Sequence, residues 1–111
     1  MLLEEERNYI VDFGKKLVTA KLTTGTGGDL SMINRSKKQV AISSSGLNYF
    51  KTRPMDVVIT DMDGRVEEGS CKPSSELKFH LDRISRQPFT RILFMPPPLP
   101  ASGGTSRPYT T

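Results

Sequence analysis

The stretch from Asp56 to Gly69, DVVITDMDGRVEEG, limits the possible folds more than any other part of this sequence. Val57 to Thr60 is an apolar and β-branched run, which suits a pleated, half-buried surface. Asp63-Gly64 then supplies a two-residue hairpin turn, because glycine accepts positive φ without a Cβ penalty. A lone hairpin is marginal in water, so this one needs further strands or a helix against it. LSMIN (30–34) and QVAIS (39–43) are two short strands joined by a polar turn from Arg35 to Lys38. FTRILFM (89–95) begins another.

Two helices are expected beside these strands. Residues 4–22 place Ile10, Phe13, Leu17 and Ala20 at spacings of three and four, which makes one apolar stripe for core packing. Glu4, Glu5 and Glu6 open this segment, and Lys15, Lys16 and Lys21 lie toward its end, as the helix dipole favours. Ser75 to about Arg86 is the second helix, with Leu77, His80, Leu81 and Ile84 along one side. Residues 43–50, SSSGLNYF, are a turn followed by a short helical or irregular stretch, and 70–74 a loop.

Several function classes are excluded by composition. The chain has 16 Lys and Arg against 12 Asp and Glu, no tryptophan and no clustered basic patch, so a nucleic-acid surface is not expected. A net charge of +4 suits a phosphorylated small ligand better. No apolar run is long enough to span a bilayer, and the acidic MLLEEERN start does not resemble a secretory signal. The single cysteine, Cys71, permits no internal disulfide, so a cytoplasmic protein is expected.

Three loops can carry chemistry. Thr24 to Asp29 holds three glycines whose amides could approach an oxyanion, although turn-making is the better explanation of the loop taken alone. Ser43-Ser44-Ser45-Gly46 ends a strand and reads either as a phosphate holder or as a solvated turn. Lys72-Pro73-Ser74-Ser75-Glu76 enters a helix, where Ser74 or Ser75 can cap and free amides attract anions. Glu76 there serves the dipole, or stands at a reacting centre as an acid/base carboxylate.

The order GTGGDLS, ISSSG, VVITDMDGRVEEG and KPSSE resembles the class II aldolase/adducin family. The resemblance spans nearly all of residues 4–88, and its most specific parts are Pro-Ser-Ser-Glu and Asp-Gly-x-Val-x-Glu-Gly. It implies an α/β fold: a three-layer αβα arrangement with a mainly antiparallel sheet, here truncated. By the same resemblance Gly28, Asp29, Ser45, Gly46, Ser74 and Ser75 face the substrate phosphate, and Glu76 is the catalytic carboxylate and a possible metal ligand. Asp29 departs from the family's asparagine, and a carboxylate facing a phosphate repels it unless turned away or protonated.

The family pattern then fails. Its divalent metal, with zinc expected, is held by a His-x-His pair and a third histidine. The aligned positions are Phe94 and Pro96, and the only histidine is His80 inside the second helix, where a structural role is expected. If Phe94 is encoded TTC, the shifted frame across Phe94-Met95-Pro96 reads His-Ala, so a frameshift is expected. The domain portion is then 1–95, and 96–111 is a Pro/Gly/Ser-rich irregular tail whose PPPLP could be a polyproline ligand. The implied function is metal-dependent cleavage of a sugar phosphate such as L-fuculose 1-phosphate into dihydroxyacetone phosphate and an aldehyde, with this chain itself expected to be inactive and to bind no metal. The alternatives are a pentulose-phosphate 4-epimerase and a non-catalytic adducin-like binding module. A sugar phosphate is the expected partner, with a homo-oligomer possible.

Overall fold

The computed structural model describes residues 1–21, 28–44, 48–69, 71–74, 76–87, 90–95 and 109–110. Six strands form one antiparallel sheet in the order β4-β3-β2-β1-β5-β6. They are β1 (Asp29–Asn34), β2 (Gln39–Ile42), β3 (Val58–Asp61), β4 (Val66–Glu68), β5 (Ile92–Met95) and β6 (Tyr109–Thr110). Two α-helices accompany them, α1 (Glu4–Thr19) and α2 (Leu77–Arg86). None among the described residues is long and apolar enough to cross a membrane.

The register of the sheet separates its two faces. Met32 pairs with Ala41 and with Ile92, and Ala41 with Ile59, so these side chains share one face. Together with Leu30 and Phe94 they meet Ile10, Val11 and Leu17 of α1 in the main core. On the opposite face Ile33 and Val40 meet Ile84 of α2, with Leu81 packed against them. The α1 stripe is as its periodicity predicts, except that the helix ends at Thr19 and Ala20 is exposed. Lys21 follows at φ 61, a left-handed conformation that stops the helix.

The hairpin between β3 and β4 differs from the expected two-residue turn. Residues 62–65 separate the strands, because Asp61 organises a longer loop. Its Oδ1 accepts the amides of Asp63 and Arg65, each at 2.9 Å, and Gly64 sits at φ +89. A short side-chain acceptor here outcompetes the tight turn.

Two arginines tie the layers together. Arg7 is 1% exposed, yet all its bonds are internal. Its guanidinium donates to the carbonyls of Leu2, Pro54 and Val57 and, at 2.6 Å, to the Glu68 carboxylate. Arg35, in the β1–β2 turn, donates to the carbonyls of Gln87 and Thr90, just past the C-terminal end of α2. A cation there complements the helix dipole. Tyr109–Thr110 pair with Leu93 and Phe94 at the sheet edge, within the stretch expected as an irregular tail. The rest of 96–111, including Pro96 and PPPLP, lies outside the described residues.

Candidate functional site

The site lies at one end of the sheet, where β1 begins, β2 ends and α2 starts. Ser43 holds these three elements together. Its amide donates to the Leu30 carbonyl at 2.8 Å, its hydroxyl accepts the Leu30 amide at 3.0 Å, and its carbonyl accepts the Ser74 amide at 3.1 Å. Ser44 forms an isolated antiparallel bridge with Pro73, and its hydroxyl donates to the Asp56 carbonyl. The segment before α2 therefore continues the β-ladder, although it reads as a loop in sequence. That pairing is what carries Ser74 and Glu76 to the mouth of β1.

Asp29, Ser74 and Glu76 converge there. The Ser74 hydroxyl accepts the Glu76 amide at 3.1 Å, which satisfies one donor ahead of the helix. Glu76 is the residue immediately before α2 and is half-buried. Burial raises the Asp29 carboxyl above its ordinary range, a hydrogen bond from Ser74 opposes this, and the charge of Glu76 raises it further. Leu30 packs in the α1-side core, so strand alternation turns its neighbour Asp29 onto the α2 side of the sheet. Ser45, Gly46, Ser75 and the glycines at 25 and 27 lie outside the described residues.

Gly28 is held from the other face. It has φ +80, and an added Cβ would come within 2.5 Å of the Phe94 ring and 2.8 Å of the Met95 carbonyl oxygen. No other residue fits that position without displacing β5. The Tyr49 hydroxyl donates to the Gly28 carbonyl at 3.3 Å, and the Tyr49 ring fills the space that a Cβ on Gly14 of α1 would need. Burial pushes the Tyr49 phenol well above its ordinary range, so it is a fixed neutral donor. Neither Tyr49 nor the role of Ser43 is apparent in SSSGLNYF. The single local signal is a tyrosine in a polar turn, which calls for a hydroxyl partner when buried.

His80 lies apart from this cluster, fully buried, with Nδ1 2.6 Å from the Ser31 hydroxyl. Its Nε2 has no hydrogen-bond partner among the described residues, and burial lowers its pKa to about 4. The neutral imidazole spans the space between α2 and β1.

The divalent metal expected from the family pattern does not fit these side chains. Among the described residues no three His, Cys, Asp or Glu converge. Phe94 is part of the apolar α1-side core, and His80 is engaged with Ser31 in the interior. Asp29 and Glu76 offer two carboxylates, one short of the three protein ligands of a catalytic zinc.

A domain of this topology, an antiparallel sheet between two helices, is a class II aldolase-type domain. The chain belongs to the class II aldolase and adducin N-terminal domain family, which matches residues 8–95. It is 57% identical over 81 residues to 5-deoxy-D-ribulose 1-phosphate aldolase of Bacillus thuringiensis serovar kurstaki, covering 73% of this chain and 38% of that protein. An L-ribulose-5-phosphate 4-epimerase of Salmonella paratyphi C is 35% identical over 86 residues, covering 78% of this chain and again 38% of the relative. Among solved structures, an L-fuculose 1-phosphate aldolase superposes with a TM-score of 0.79 at 34% identity, over 89% of this chain and 52% of that one. The chain spans well under half the length of these two curated relatives.

Proposed function

We propose that this chain is the front part of an aldolase that cleaves a ketose 1-phosphate. The 57% identity to a 5-deoxy-D-ribulose 1-phosphate aldolase carries this reading, and makes that sugar phosphate a better first substrate to test than L-fuculose 1-phosphate. In the reaction the bond between C3 and C4 breaks, the C4 hydroxyl loses its proton and C3 gains one. The products are dihydroxyacetone phosphate and an aldehyde, which for 5-deoxyribulose 1-phosphate is acetaldehyde.

In this reading the amides and hydroxyls of Gly28, Ser45, Gly46, Ser74 and Ser75 hold the phosphate. Glu76 moves the proton, since a carboxylate beside the bound sugar can take and return it. Charge developing on the substrate oxygen needs an electrophile worth several kcal/mol, and no cation faces Glu76 among the described residues. Glu76 by itself supplies a base and no electrophile, and the match covers only 38% of each of the two curated relatives, so turnover by the 111-residue chain alone is not expected. Cytoplasmic location and assembly into a homo-oligomer belong to the same proposal.

The test has two parts. The purified chain with added zinc should show neither stoichiometric metal nor cleavage of 5-deoxy-D-ribulose 1-phosphate or L-fuculose 1-phosphate. A chimera joining residues 1–88 to the remaining part of the Bacillus thuringiensis relative should cleave a ketose 1-phosphate and lose that turnover with Glu76→Gln. A folded chimera that is inactive, or indifferent to Glu76→Gln, would sink the aldolase reading. A second reading, a non-catalytic binding module of the same family, is favoured by the absence of a converging ligand set among the described residues. It predicts zinc-independent sugar-phosphate binding by the chain and no turnover by the chimera.

A further inference from the structure

Glu76 lies between two points at which the chain is tied to β1. Before it, the Ser74 amide donates to the Ser43 carbonyl at 3.1 Å, and Ser43 is bonded through its own amide and hydroxyl to Leu30. After it, His80 Nδ1 lies 2.6 Å from the hydroxyl of Ser31, the next residue of β1. His80 and Ser31 are both fully buried, and the His80 amide donates to the Glu76 carbonyl at 3.0 Å.

The two elements keep step with each other. Strand alternation puts Ser31 and Ile33 on one face of β1, and helical spacing puts Glu76, His80 and Ile84 on one side of α2. Ile84 packs with Ile33, and His80 meets Ser31. Four helical residues advance about 6 Å and two strand residues about 7 Å, so the rows stay matched. One step further brings Glu76 level with Asp29, at the site. The apolar part of this interface is small: Ile33, Val40 and Ile84, with Met62 and Leu81 beside them. Apolar contact is non-directional and lets a short helix slide or turn. A buried hydrogen bond between a ring nitrogen and a hydroxyl does not. The imidazole is kept here although its Nε2 is buried without a partner among the described residues, a cost that an apolar side chain would not carry.

We infer that His80 is a positioning residue for Glu76: through its Nδ1 bond to Ser31 it fixes the height and rotation of the first turn of α2 on β1. The inference rests on the proposed role of Glu76 and adds a residue that acts only through the helix.

The experiment compares the 111-residue chain with His80→Leu, Ser31→Ala, the two combined, and His80→Asn, whose amide keeps a hydrogen-bonding group close to the position of Nδ1. Amide hydrogen exchange is read at Leu77 and His80, which bond to the carbonyls of Ser74 and Glu76, against the amides of α1 and of the C-terminal end of α2. In His80→Leu and Ser31→Ala the first-turn amides should lose about tenfold in protection beyond any change at the reference amides. The double variant should lose no more than either single one, and His80→Asn should keep most of the protection. Uniform loss along the whole helix in step with the unfolding midpoint, or full protection in His80→Leu, overturns the inference. The same substitutions in the chimera separate it from the aldolase reading. There kcat should fall about tenfold, with KM for 5-deoxy-D-ribulose 1-phosphate changed by less than about twofold. An active chimera whose kcat ignores both substitutions overturns the inference and leaves the aldolase reading standing. An inactive parent chimera sinks that reading, and the exchange comparison then decides the placement of Glu76 by itself.

Discussion

On one side of the sheet Leu30, Met32, Ala41, Ile59 and Ile92 meet Ile10, Val11 and Leu17 of α1; on the other, Ile33 and Val40 meet Ile84, and the polar Ser31, Thr60 and His80 are buried along that same face. Each side also buries a basic side chain, with opposite outcomes. Arg7 under α1 has four acceptors, whereas the Nε2 of His80 under α2 has none among the described residues. The α1 side is built for stability. The α2 side gives up apolar contact to bring the start of a helix and its polar groups against β1, which is where the proposed site lies. A small domain keeps only a few kcal/mol in reserve, so the first side must offset the second.

The largest test of this contrast is a pair of truncations. Ile10→Ala should cost about 4 kcal/mol, because α1 and the sheet cannot close around the cavity, and Ile84→Ala about 2 kcal/mol on the sparser side. Urea unfolding at constant slope measures both, and equal costs would break the contrast. Arg7→Met should cost about 3 kcal/mol, since it strands the carbonyls of Pro54 and Val57 and leaves Glu68 unpaired. A neutral result would show that the clamp is replaceable by apolar packing.

Acid should weaken the α2 side selectively. The folded pKa of His80 is lowered to about 4 from its ordinary 6.5, so the unfolded chain takes up its proton first. Its contribution is present in full above pH 6.5 and is lost as pH falls from 6.5 toward 4. The loss amounts to about 2 kcal/mol between pH 7 and pH 5. Asp29, whose carboxyl is raised by burial, pulls the other way in acid, so the quantity to read is the difference between the parent and His80→Leu. If both lose stability with the same slope, His80 is not the titrating group. The smallest effect is expected at the hairpin: Gly64→Ala should cost about 1 kcal/mol because φ is +89 there, measurable as a shift in the unfolding midpoint.

Much of this architecture was legible in local pattern. The apolar runs of β1, β2 and β3 sit where the sequence places them, and the stripe Ile10, Phe13, Leu17 marks the packed side of α1. The order of the glycine, serine and Pro-Ser-Ser-Glu loops was enough to recognise the family. The four-residue turn after Asp61 was missed because Asp-Gly favours a tight hairpin and nothing local shows that Asp61 will accept two amides. Arg7 was missed for a related reason. An arginine in the first turns of an amphipathic helix reads as solvent-facing, and its acceptors at Pro54, Val57 and Glu68 are at least 47 residues away.

What the sequence determined by itself is what repeats over short distances: strand and helix periods, turn chemistry, the charge of Asp29, and a composition with one histidine and one cysteine. The tertiary structure decided where those groups meet. Ser43 joins β1 to the segment before α2, Tyr49 reaches the Gly28 carbonyl, and the Asp29 carboxylate comes to Ser74 and Glu76, more than forty residues away along the chain. The physical reason is that burial and hydrogen bonding act on groups near in space. A charge or hydroxyl has its partner chosen by whichever elements pack around it, and no spacing along the chain records that choice.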